Sequence, residues 1–211
     1  ITFEGTKSLA YKMLVVAIIS TLVLFINSYY VTGSFQNVMM ASIVGFLGWF
    51  LGYFYTAKPL RFSARRGLGE VAIFLAFGPL LTLGSYFAIA SQPVELFSQD
   101  FYNAIYIGIP FGFLTTNILY INQFPDTVSD AKTGKNHLIV TLGKKTARWG
   151  YLVLLSASFV SSILLLEIFQ ANISDFNTNV FYIVNVVLFL YGISAFVNLI
   201  KKKILMIIFC Y

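Results

Sequence analysis

Six apolar runs, each close to 20 residues long, constrain this chain more than any other feature. They cover Tyr11–Tyr29, Gln36–Tyr55, Val71–Ala90, Phe101–Ile121, Trp149–Ala171 and Asn179–Ile200, and a seventh opens at Ile204 and stops at Tyr211. About 20 helical residues cross the roughly 30 Å hydrocarbon core of a bilayer. Lipid offers the backbone no hydrogen bonds, so a lone apolar segment crosses only as a helix. The expected fold is all-α: a polytopic membrane helix bundle, with six full membrane helices plus a truncated seventh, forming a single membrane domain over residues 1-211. Charge content agrees, at 10% of the 211 residues against about 25% in soluble chains.

The connections alternate in character. Tyr30–Phe35, Ser91–Asp100 and Asn172–Thr178 contain no Lys or Arg, and the remaining stretches carry all 14. If the six segments alternate in direction, every basic residue falls on one side. The positive-inside rule makes that side cytoplasmic, in an integral membrane protein of the cell or inner membrane. The net charge of +6 then reads as topology, above all at Lys201–Lys203. Nucleic acid is not an expected partner, because no folded basic domain displays the charge. Cys210 is the only cysteine, which leaves no intrachain disulfide and no thiol cluster for zinc. His137, equally alone and beside a lysine-rich loop, reads as a solvated loop residue. Residues 1–11 hold Glu4 and Lys7 and no apolar core, so no signal peptide is read there.

Punctuation within the apolar runs predicts local bends. Pro79 and Pro110 sit inside their segments near Gly78 and Gly108, where neighbours must satisfy the freed backbone. Ala41, Gly45, Gly48 and Gly52, three or four residues apart, predict a close helix–helix seam.

The polar stretch from Asn122 to Arg148 is where chemistry is expected. Asn122, Asp126 and Asp130 recur every fourth residue, so a continuing helix carries them on one face. Pro125 between them predicts a kink or a fresh helix start. Two carboxylates one turn apart suit a hard cation such as Mg²⁺, which takes oxygen ligands and bridges to phosphate. Lys132, Lys135, Lys144, Lys145 and Arg148 follow, and such cations suit a phosphorylated ligand. A second polar loop, YTAKPLRFSARRGLGE from Tyr55 to Glu70, lies on the same expected side. There Tyr55 donates a hydrogen bond, and Lys58 and Arg61 read equally as phosphate contacts or as membrane anchors. Arg65 and Arg66 read as anchors. Glu70 is placed to favour the start of the next helix.

Together these loops resemble the UbiA superfamily of intramembrane aromatic prenyltransferases. The resemblance rests on YTAKPLRFSARRGLGE before one membrane helix and on NQFPDTVSDAKTGKNHLIVTLGKKTA two crossings later. Asp126 and Asp130, with the D-x-x-x-G-K and T-L-G-K that follow, look like that family's second aspartate motif. Within the superfamily the text is most similar to the branch that prenylates 1,4-dihydroxy-2-naphthoate in menaquinone synthesis. The resemblance implies an enzyme that transfers an isoprenyl group from a polyprenyl diphosphate to an aromatic acceptor, with Mg²⁺ as cofactor and the bilayer as surroundings. It implies Asp126 and Asp130 as metal ligands and catalytic residues, with Tyr55 and Lys58 beside them. Asn122, Arg61 and Lys135 would bind substrate, and some of the 22 Phe and 13 Tyr would line a prenyl channel. Other acceptors stay open, among them 4-hydroxybenzoate, homogentisate, a chlorophyllide-like ring and glyceryl phosphate. So does a transporter, although that class needs ionisable groups within the membrane and, apart from Lys12 at the edge of the first run, only Glu167 among the charged residues lies inside an apolar run.

The text departs from the family in two places. The first motif, N-D-x-x-D-x-x-x-D, is absent, as are two helices that would precede Tyr11, so a truncated and by itself inactive sequence is expected. The family spaces its tyrosine and lysine as Y-x-x-x-K, and here Lys58 follows Tyr55 one residue sooner.

Overall fold

The structure, a computed structural model, describes residues 3–169 and 175–200. All the regular structure among them is helical. The helices are α1 (Phe3–Thr32), α2 (Phe35–Thr56), α3 (Leu68–Phe77), α4 (Pro79–Ile89), α5 (Gln99–Lys132), α6 (Leu138–Leu142), α7 (Lys144–Phe169) and α8 (Asp175–Ile200), with one 3₁₀ turn at Phe62–Ala64. Among the described residues, six spans are long and apolar enough to cross a membrane, α3 and α4 together making one. Each coincides with one of the six apolar runs, and the chain is an integral, polytopic membrane protein. The truncated seventh segment and Lys201–Lys203 lie outside the described residues.

α5 is the axis of the bundle. It packs against α7 on one side and against α3 and α4 on the other, while α2 packs against α4. Two apolar cores flank it. Tyr120, Phe124, Ile139, Ala147, Tyr151, Leu155, Phe196 and Leu199 join α5, α6, α7 and α8. Ala41, Val44, Leu83, Phe87, Val94 and Ala104 join α2, α4 and α5. Lipid tails are as apolar as these side chains, so close packing and interhelical hydrogen bonds hold the helices together. Tyr120 Oη donates to the Ala147 carbonyl at 2.8 Å, and Ser158 Oγ donates to the Pro110 carbonyl at 3.0 Å. At the end of the bundle away from the polar loops, Asn37 is fully buried. Its amide donates to Gln92 O at 3.0 Å and accepts from Val94 N at 2.9 Å. That pair ties the start of α2 to the α4–α5 connection.

The close helix seam is not where sequence spacing put it. A Cβ added at Gly45, Gly48 or Gly52 meets nothing within 4 Å among the described residues, so these three form no tight seam there, although Ala41 is buried. The contact forms instead at Gly78, Gly108 and Gly112. A Cβ at Gly78 would lie 2.8 Å from Gly108 O and 2.9 Å from Gly112 Cα. Gly78 also separates α3 from α4, with Pro79 as the first residue of α4, the position where a missing N–H costs nothing. Small residues spaced along one helix say nothing about which partner meets them. Here the break at Gly78 brings its own backbone onto α5.

Pro125 neither stops α5 nor starts a new helix. The helix runs without interruption from Gln99 to Lys132 through both Pro110 and Pro125. Its 34 residues, at about 1.5 Å each, exceed a bilayer's hydrocarbon thickness. α5 thus has length to spare beyond one crossing, and its last turns carry Asn122, Asp126 and Asp130 on one face, as the four-residue spacing predicts.

Candidate active site

The chain turns back at the end of α5 through local backbone chemistry. Gly134 adopts φ of +74°, a left-handed conformation that glycine takes at no steric cost. Lys135 N then donates to Asp130 O at 3.0 Å and Gly134 N to Ala131 O at 3.2 Å. This helix end aims the Lys135 side chain back over the last turn, where Nζ meets Asp130 Oδ1 at 2.8 Å. One residue later, Asn136 N donates to Ala64 O at 2.8 Å. That bond docks the loop after α5 on the loop after α2, so the two polar stretches form one surface.

His137 follows at the N-terminal boundary of α6. Its side chain is 1% exposed, and Nε2 lies 3.1 Å from Asp130 Oδ2. The reading of His137 as a solvated loop residue is therefore wrong. Apolar residues start immediately after it, with Leu138 partly buried and Ile139 fully buried in the core. Folding α6 onto that core takes the imidazole inward. An ionised carboxylate only accepts hydrogen bonds, so Nε2 carries the proton and donates to Asp130.

Tyr55, Thr56, Ser63, Leu119, Asn122, Gln123, Asp126, Asp130, Lys135 and His137 line a common cavity of about 270 Å³. Five of the seven residues singled out in the sequence thus meet: Tyr55, Asn122, Asp126, Asp130 and Lys135. Lys58 and Arg61 are absent from its lining. Lys58 is exposed and joined to Pro59 by a cis peptide bond. Arg61 holds a left-handed backbone at φ of 44° and leads into the 3₁₀ turn. The neighbouring Arg65 donates from its guanidinium to Pro59 O at 3.0 Å, bracing this loop. Sequence reasoning missed His137 and Gln123. Gln123 follows Asn122 and faces inward on the same helix, a signal visible only once the register of α5 is fixed.

Behind the cavity lies a buried polar layer. Glu70, in the first turn of α3, is 6% exposed, and Gln123 and Asn117 are also buried. Neither Glu70 oxygen has a partner at hydrogen-bond geometry, while Gln123, His137 and the Leu138 backbone are near enough to influence its charge. Its place at the helix start is as the sequence predicts; its burial was not foreseen.

The donor set permits a hard cation of a particular kind. Asp126 and Asp130 offer carboxylate oxygens and Asn122 an amide oxygen. Among the described residues no group of three His, Cys, Asp or Glu stands ready to hold a metal. Mg²⁺ is usually held by one or two carboxylates, with substrate phosphates and waters completing its shell. These residues fit a cation shared with a phosphorylated ligand, not one caged by protein alone.

Two larger apolar clefts run along α5. One, of about 620 Å³, lies between α4 and α5 and is lined by Phe77, Leu81, Tyr86, Ile107 and Phe111, with Asp100 at its rim. The other, of about 460 Å³, lies between α5, α7 and α8 and is lined by Phe111, Leu114, Phe159, Phe181 and Leu188. Neither shares a lining residue with the polar cavity.

Comparison with known proteins finds relatives among prenyltransferases. The chain is 34% identical over 94 residues to a 1,4-dihydroxy-2-naphthoate octaprenyltransferase of Escherichia coli, a match covering 44% of this chain and 28% of that protein. It is 36% identical over 97 residues to a 2-carboxy-1,4-naphthoquinone phytyltransferase of Synechocystis, covering 46% and 29%. It is 30% identical over 118 residues to a 1,4-dihydroxy-2-naphthoate octaprenyltransferase of Bacillus subtilis, covering 56% and 34%. The chain thus spans about a third of the length of the curated relatives it matches. No solved structure matches it significantly. Residues 6–204 match the model of the UbiA prenyltransferase family, and the chain belongs to that family.

Proposed function

We propose that the protein transfers an isoprenyl group from a polyprenyl diphosphate to an aromatic acceptor, 1,4-dihydroxy-2-naphthoate, in menaquinone biosynthesis, and depends on Mg²⁺. The observation that carries this reading is the common cavity of Tyr55, Asn122, Asp126, Asp130 and Lys135, which pairs acidic and basic groups as a metal diphosphate requires. The family match and the relatives' names support the reaction class and the acceptor.

In this mechanism Lys135 and Tyr55 take the diphosphate by an ammonium and a phenol O–H. Asp126 and Asp130, with Asn122, would hold Mg²⁺ against the phosphates. Bound there, the ion would supply positive charge to offset that of the departing diphosphate. Leu119 adds an apolar side chain to the cavity's lining, which helps to keep water from the reacting carbon. An apolar cleft along α5 accommodates the prenyl tail, and the acceptor ring attacks the allylic carbon as its bond to diphosphate oxygen breaks. The ring carbon that takes the prenyl group then sheds its own substituent, a proton or the carboxylate as CO₂, to restore aromaticity. Lys58 and Arg61, outside the cavity, are assigned to guiding the anion from the cytoplasmic surface.

Asp126→Asn and Asp130→Asn in the full-length protein should each lower Mg²⁺-dependent transfer by about 100-fold or more, as loss of a charge-stabilising group does, while insertion into membranes is unchanged. Unaltered turnover in both would remove the carboxylates from the mechanism. Dihydroxynaphthoate, hydroxybenzoate and homogentisate should be offered in parallel with labelled prenyl diphosphates, and only the first is expected to be prenylated.

A further inference from the structure

The two oxygens of Asp130 are held by partners of unlike mobility. Oδ1 faces Lys135, whose side chain is 38% exposed. Oδ2 faces His137, whose side chain is 1% exposed. The histidine's backbone is held on both sides. Its carbonyl accepts from Thr141 N at 3.1 Å and from Thr141 Oγ1 at 3.2 Å. The residue before it is tied to Ala64 by the 2.8 Å backbone bond. Lys135 can leave Asp130 by rotating its own side chain through solvent. His137 can leave only by undocking one polar loop from the other and withdrawing from the core.

We propose that His137 is the positioning residue for Asp130. It fixes Oδ2 through the Nε2 proton and presents Oδ1, which Lys135 covers until a cation arrives, as the oxygen that takes the metal. Resting on the metal–diphosphate reading above, this division of labour explains how one carboxylate can be preorganised and still exchange a partner. A carboxylate free at both oxygens would rotate about its last torsion, and ordering it would oppose binding. With Oδ2 held, the displaced Lys135 ammonium is left beside the incoming phosphate, where a cation is wanted.

The test reads binding without turnover. Mn²⁺ binding to the full-length protein in lipid nanodiscs is followed by electron paramagnetic resonance, with and without inorganic pyrophosphate and with no acceptor. His137→Phe keeps a ring of similar size and loses the donor. It should weaken Mn²⁺ binding by about 10- to 100-fold, the usual cost of removing a group that orients a metal ligand. His137→Gln, whose amide can donate to Oδ2, should recover most of that loss. Lys135→Met should leave Mn²⁺ binding undiminished without pyrophosphate and weaken binding of pyrophosphate itself.

Wild-type Mn²⁺ affinity in H137F would overturn the proposal and leave the metal site standing. Failure of H137Q to recover binding would overturn the donor role. A wild-type protein that binds no Mn²⁺ even with pyrophosphate would remove the site reading and this proposal together. Should H137F not fold, the unmutated protein decides. With ¹⁵N-labelled histidine, the Nε2–H signal of His137 should stay protected from exchange when Mg²⁺ and pyrophosphate are added, and its loss would overturn the assignment.

Discussion

A single torsion places the Lys135 ammonium. Gly134 at φ of +74° lets Lys135 N reach Asp130 O, and the same reversal brings Nζ to Oδ1. A Cβ at Gly134 meets nothing within 4 Å, so a substitution there is opposed by conformation alone. Gly134→Ala is expected to cost about 1 kcal/mol, the scale of forcing an L-residue into the left-handed region. It should also loosen the Lys135–Asp130 pair, so that KM for the prenyl diphosphate rises while thermal stability falls only slightly. Equal KM in both proteins would show that Lys135 reaches its place without the turn. Asn37 shows the same local economy at the other end, one buried amide satisfying two backbone groups of the α4–α5 connection.

Between elements, space is allotted unevenly. At Gly108, a Cβ would stand 2.5 Å from Thr82 Oγ1 and 2.6 Å from Gly78 C, and a backbone atom cannot step aside as a flexible side chain can. Gly108→Ala should therefore destabilise the bundle by about 1–3 kcal/mol or more, the range for overpacking a filled interior. Gly48→Ala, with nothing within 4 Å, should be neutral, or slightly stabilising through helix propensity. Thermal unfolding of both variants in the same detergent checks the contrast. Equal melting temperatures would mean that α3–α4 does not sit on α5 as described.

For the whole molecule, the arrangement predicts sidedness. The loops after α2 and after α5 share a hydrogen bond through Asn136 and Ala64, and are expected on one face of the membrane. The α4–α5 connection is at the other end of the bundle. Cysteines placed by Ser129→Cys and Ser98→Cys should label from opposite faces with a membrane-impermeant reagent, the first from the cytoplasm. Same-side labelling would mean that one apolar run does not cross.

The sequence alone determined what is local. Hydropathy over about 20 residues sets each crossing, because lipid demands a self-satisfied backbone from each segment separately. Four-residue spacing put Asn122, Asp126 and Asp130 on one face, because helical periodicity needs no partner. Pro79 opens a helix as the first-turn preference of proline allows, whereas Pro125 starts none and α5 runs on through it. The tertiary structure decided what depends on meeting. Tyr55 and Asp130 are separated by more than 70 residues of chain, and only the docking of two loops lines one cavity with both. His137 reads as solvated in a lysine-rich stretch and is buried because α6 folds its apolar side onto the core around Tyr120 and Phe124. Gly45, Gly48 and Gly52 have the spacing of a seam and a Cβ on them meets no described residue, whereas Gly78, at the break between α3 and α4, and Gly108 of α5 make one. Spacing along a helix fixes which residues share a face; only packing fixes what that face meets.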